Sequence, residues 1–108
     1  MAVVRSTAKE KVDPRTPGQC GDFRITSRDK DGIKFIWRTP SKDVGGVTTI
    51  YQFLLKMEKD SNYTIMANPV KNNITIKNQE TGKVMEFCVV AVNAMGVGPR
   101  SNTVLVKF

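Results

Sequence analysis

Glu86-Phe-Cys-Val-Val-Ala-Val-Asn-Ala-Met-Gly-Val-Gly-Pro-Arg-Ser101 is the stretch whose reading decides the fold. Met85, Phe87, Val89 and Ala91 alternate with Glu86, Cys88, Val90 and Val92, the period of two expected of a strand. Asn93-Ala-Met-Gly interrupts the pattern. Thr103-Val-Leu-Val-Lys-Phe108 restarts it, with Val104, Val106 and Phe108 on one side. Two alternating runs joined by a glycine-bearing loop predict neighbouring antiparallel strands.

The same period recurs upstream. Phe23 and Ile25 mark a first strand, and Ile33, Phe35 and Trp37 a second. Residues 40–46 are rich in Pro, Ser, Asp and Gly and end the second strand in a turn. Residues 48–57 form a third strand, with Tyr51, Phe53 and Leu55 on one face. Residues 63–66 form a short fourth, pairing with the third or facing the fifth. Ile74 and Ile76 mark the fifth, and the quoted stretch with its restart supplies the sixth and seventh. No window carries a helical period. Seven strands with one apolar face each predict an all-β, seven-stranded antiparallel β-sandwich, because a single sheet would leave its apolar face in water.

Three groups of residues resemble fibronectin type III domains. They are Ile33-x-Phe35-x-Trp37-x-x-Pro40, then Gly45-Gly46 followed by Tyr51-x-Phe53, then Phe87-x-Val89-x-Ala91-Val92-Asn93-Ala94-x-Gly96-x-Gly98-x-x-Ser101. The resemblance spans residues 14–108, with Pro14 and Pro17 where such domains begin. It implies an immunoglobulin-like topology. One position departs: Met85 stands where the family carries a corner Tyr. Met fills space but donates no hydrogen bond, which implies a looser connection over residues 78–83 and a loss of about 0.5–1.5 kcal/mol. The family's Arg-Gly-Asp tripeptide is absent, so its integrin mechanism is not implied.

The totals bound the rest. A chain of 108 residues is one domain with enough length for a core. Residues 1–17, with Arg5, Lys9, Lys11 and Arg15, read as a flexible basic lead-in with a solvated charge, and residues 18–108 as the domain. No apolar run approaches the ~18 residues of a membrane helix. Met1-Ala-Val-Val is followed at once by Arg5, unlike a signal peptide. The expectation is a module excised from a longer chain, with its compartment left open between the cell surface and a muscle filament. His is absent from the sequence, which removes the commonest general base and metal ligand. Cys20 and Cys88 are the only thiols, and strand parity puts Cys88 on the outward side, so both are expected to be free. The carboxylates are scattered, and Asp29-Lys30-Asp31 reads as a turn; no metal or cofactor is expected. Gly45-Gly46 and Gly96-x-Gly98 lack the following helix of a phosphate loop.

Parity also predicts the outer faces. On the third, sixth and seventh strands, Leu54, Val90, Val92 and Leu105 point away from the core and form an apolar surface. With the loop carrying Met95 and Arg100, they are the expected protein-binding residues. On the first, second and fifth strands, Arg24, Lys34, Arg38 and Lys77 form a basic stripe with no acid in it. That stripe is the alternative site, suited to a heparin-like sulfated glycan or acidic segment. No aromatic residue is interleaved with it for base stacking, so nucleic acid is not expected. Asn62 and Asn73 head Asn-x-Thr sequons that could carry glycans in a secreted chain. The expected function is a non-catalytic protein-interaction or spacer module of a multidomain adhesion, receptor or muscle-filament protein. The third reading is an accessory domain beside an enzyme.

Overall fold

The computed structural model of the protein describes residues 15–79 and 82–108. Among the described residues eight strands follow one another: β1 (Gly21–Asp29), β2 (Gly32–Arg38), β3 (Ile50–Met57), β4 (Thr64–Ala67), β5 (Asn73–Ile76), β6 (Val84–Asn93), β7 (Gly96–Val97) and β8 (Val104–Lys107). They form two antiparallel sheets, one in the order β1-β2-β5 and one in the order β4-β3-β6-β7, with β8 also on β6. The short fourth strand pairs with the third, not across to the fifth. The expected seventh strand is β8, and β7 is a two-residue strand within what was expected to be the loop before it. Pro99 lies between them and has no N–H to donate to a ladder. Ser101 bridges the gap: its hydroxyl accepts from the Val89 N–H at 3.0 Å, and its own N–H donates to the Val89 carbonyl at 3.0 Å.

Alternation places the core between the sheets. Phe23, Ile33, Phe35, Trp37 and Ile76 from one sheet meet Tyr51, Phe53, Phe87, Val89, Ala91 and Val106 from the other, and all are buried. The aromatic rings interlock: Phe35 lies 5.1 Å from Phe53 and 5.1 Å from Phe87, and Trp37 meets Tyr51 edge-on at 5.2 Å. Each large ring removes about 150–250 Å² from water, so this cluster dominates the folding energy. The Tyr51 hydroxyl pairs with that of Thr39 at 2.8 Å, which satisfies its polar end. Asn102 closes one flank. Its amide donates to the Phe23 carbonyl and its side-chain oxygen accepts from the Phe23 N–H, at 2.9 and 3.2 Å, as a strand would.

The lead-in expected over residues 1–17 lies outside the described residues as far as residue 14. Residues 15–17 are held against the sandwich. The Gly46 N–H donates to the Thr16 carbonyl at 2.8 Å, and the Asn93 side chain donates to the Arg15 carbonyl at 2.9 Å. Glycine is required at Gly46 and Gly98, because a Cβ there would run into the Arg15 and Pro17 carbonyl oxygens. Met85, at the corner position, packs half-buried against the core. In the connection after β5, the Asn78 side chain donates to the Asp29 and Lys30 carbonyls at 3.0 and 3.2 Å; residues 80 and 81 of it lie outside the described residues.

Candidate interaction surfaces

The apolar surface expected on the outer face of β3 and β6 is not open. Leu54 is 9% exposed, Cys88 0% and Val90 2%. The parity behind the expectation holds, since none of the three joins the inter-sheet core. They form a second cluster of their own, with Tyr63 and Val92 packed against it. What parity could not supply is the cover. Tyr63, just before β4, lies across the outside of the sheet. Its hydroxyl donates to the Glu86 carboxylate. Lys56 stands 3.8 Å from that carboxylate and 5.7 Å from the Tyr63 ring, and the Arg100 guanidinium lies over the ring at 4.9 Å. Arg100, expected as a free contact residue, is therefore exposed but seated on Tyr63. Its carbonyl accepts from the Gln19 amide at 2.8 Å.

Of the six residues expected to bind a protein, Leu105 and Met95 remain well exposed, at 59% and 50%. Val92 is half-buried, and Leu54 and Val90 are covered. The structure adds others that alternation did not mark. Val44 and Val47, in the connection between β2 and β3, and Val97, in β7, are 67%, 52% and 52% exposed. Val44 stands beside Gly18 of the entering chain. The Asn93 side chain donates to the Val47 carbonyl at 3.0 Å and accepts from the Met95 N–H at 2.8 Å, tying the two loops together. The signal for them was compositional only: apolar residues inside turn-rich segments.

The basic stripe needs a correction too. Arg24, Lys34, Arg38 and Lys77 are all exposed on the face of β1, β2 and β5, as expected. The stripe, however, contains an acid. The pairing of β1 with β2 is irregular between Gly21 and Arg24, and Asp22 adopts a φ of 53° there. Its carboxylate lies 2.5 Å from Arg24 and 3.9 Å from Arg38. A strict two-residue period puts Asp22 and Arg24 on one face, but the bulge is what sets the carboxylate between two arginines. Of the sequon residues, Asn62 is exposed in the turn before Tyr63 and Asn73 is half-buried in β5.

Both cysteines are free and buried, Cys20 in the inter-sheet core and Cys88 in the outer cluster. Burial pushes the Cys20 thiol up to about 12 and raises that of Cys88. Burial first, and then the bond to Glu86, raises the Tyr63 phenol well above its ordinary value. Protonated thiols of this kind are poor nucleophiles at neutral pH. Among the described residues no group of three or more His, Cys, Asp or Glu is placed to hold a metal ion.

Two antiparallel sheets, three strands facing five, with an aromatic core centred on Trp37 and Phe87, make a β-sandwich of the fibronectin type III and immunoglobulin-like kind. No protein-family model matches the chain. Solved structures match it across most of its length. A crystal structure of consecutive titin domains is 17% identical with a TM-score of 0.71, over 84% of this chain and 32% of that one. The kinase region of twitchin from C. elegans is 19% identical with a TM-score of 0.73, over 84% of this chain and 16% of that one. The sixth fibronectin type III domain of human fibronectin type III domain containing protein 3 is 22% identical with a TM-score of 0.68, over 84% of each chain. The chain thus spans 32% and 16% of the titin and twitchin chains that it matches. At these identities the likeness is one of fold.

Proposed function

We propose that this chain is a non-catalytic module that joins or binds other protein domains within a multidomain protein. One observation carries the reading. Val44, Val47, Met95 and Val97 are each at least 50% exposed, on loops tied to one another and to the entering chain. Several large apolar side chains left in water on tied loops fit contact with another protein domain better than solvation. Residues 15–17, held by Gly46 and Asn93, would orient whatever lies before them relative to that end. The twitchin match lies in a chain whose name includes a kinase, so a spacer beside an enzyme domain belongs to the same reading.

The polyanion reading is weaker on this geometry, because Asp22 already pairs with Arg24 and Arg38, leaving Lys34 and Lys77 as the members of the expected set with no acid partner among the described residues. One experiment separates the two. The module, a Met95→Asp/Val97→Asp variant and a Lys34→Glu/Lys77→Glu variant are compared for capture of proteins from source tissue and for retention on heparin resin. A specific protein kept by wild type and by the lysine variant, but lost with Met95→Asp/Val97→Asp, supports the proposal. Binding lost only with the lysine variant overturns it in favour of the basic face.

A further inference from the structure

The two apolar clusters are closed in different ways. The inter-sheet core is enclosed by a sheet on each side. Leu54, Cys88 and Val90 lie outside one sheet and are closed over by Tyr63. The segment that carries Tyr63 is lightly attached. Residues 58–62 are exposed, as are Thr64, Ile65 and Met66. The pairing of β4 with β3 covers Phe53 with Ala67, Leu54 with Ile65 and Leu55 with Thr64, with an irregularity after the first pair. The remaining hold is polar: the Glu58 N–H to the Val84 carbonyl at 3.3 Å, the Asp60 N–H to the Met57 carbonyl at 3.0 Å, Lys56 to the Asp60 carbonyl at 3.0 Å, Tyr63 to Glu86 with Lys56 beside it, and Arg100 on the ring. Segments with few buried apolar contacts and solvent-facing bonds open at a lower free energy than the whole domain.

We infer that residues 58–66, up to Ala67, which stays packed on the inter-sheet core, form a flap that opens independently of the sandwich and, on opening, uncovers the apolar strip of Leu54, Cys88 and Val90. Tyr63 is its latch. The ring supplies the cover, and Lys56, Glu86 and Arg100 hold the ring in place. Opening leaves the inter-sheet aromatic contacts untouched, because none of them involves the flap. The surface exposed is apolar and contiguous with half-buried Val92.

The two thiols report on this directly, one in each cluster. Native protein is treated with iodoacetamide, and alkylation at Cys20 and Cys88 is followed separately by peptide mass spectrometry. A local flap predicts that Tyr63→Ala accelerates alkylation of Cys88 by ~10-fold or more while Cys20 changes by less than ~2-fold. Tyr63→Phe, which keeps the ring and loses only the bond to Glu86, is expected to accelerate Cys88 alone, and less. If Tyr63→Phe and Tyr63→Ala accelerate both thiols in equal proportion, or accelerate neither, the flap is not a separate unit and the inference fails.

Discussion

Phe35 and Val90 are both buried, at 0% and 2% exposure, yet they are closed in by different kinds of structure. Phe35 sits between two sheets and touches rings contributed by strands far apart in sequence. Val90 sits on the outside of one sheet beneath a single tyrosine held by charged neighbours. The first kind of burial can be lost only by separating the sheets. The second can be lost by moving one side chain. Burial alone is therefore a poor guide to how firmly a residue is held, and the two clusters should differ in energy, in cooperativity and in response to pH and charge.

The largest test removes a ring from the centre of the first cluster. Phe35→Ala should lose about 3–5 kcal/mol, enough to unfold much of the population. Leu54→Ala, at the margin of the second cluster, should lose about 2 kcal/mol, the low end for such a change, because the flap can settle into the space. Urea denaturation of both variants checks the pair. Equal losses would show that the two clusters melt as one unit and would break the distinction.

Alkaline pH should weaken both regions. The folded chain keeps the Cys20 proton up to about 12, whereas the unfolded thiol releases it near 9.0. In that window the folded state holds more protons, so stability is complete below about 9 and falls as pH rises, by at most about 1.4 kcal/mol per pH unit for each such group. Cys88 acts in the same direction, and Tyr63 joins above about 10. Urea midpoints measured from roughly pH 8 to 11 should fall, and Cys20→Ala should make the decline shallower.

Smaller effects sharpen the outer region. Tyr63→Phe should cost about 1 kcal/mol, since it removes a bond to a carboxylate that is partly open to water. Hydrogen exchange should place the loss in β4 and leave β1 and β2 protected. Smallest of all, Asp22→Asn, which tolerates the φ of 53° as Asp does, should change stability by less than about 0.5 kcal/mol, because exposed ion pairs contribute little. It should nonetheless raise the salt needed to elute the protein from heparin, by releasing Arg24 and Arg38.

The same contrast explains what could be read in advance. Alternation at Phe23, Phe35, Trp37, Phe53 and Phe87 places the inter-sheet core, because a period of two assigns every side chain to one face or the other and the apolar faces must meet. The glycine loop after Asn93 was legible from composition. The outer cluster was half legible. Cys88 and Val90 do point away from the core, but nothing in their own strand says that Tyr63 will lie over them. The acid in the basic stripe was legible by parity, since Asp22 and Arg24 share a face, but the ion pairs it makes were not, because the bulge at Asp22 sets its carboxylate between the two arginines.

By itself, then, the order of residues determined the strands, their faces and the two-layer architecture, all of which follow from the short-range geometry of a pleated chain. Tertiary structure alone decided which outward faces stay in water. That depends on where Tyr63, Asp22 and the loops carrying Val44 and Met95 come to rest, and those positions are set by contacts between segments distant in sequence, which no local period encodes.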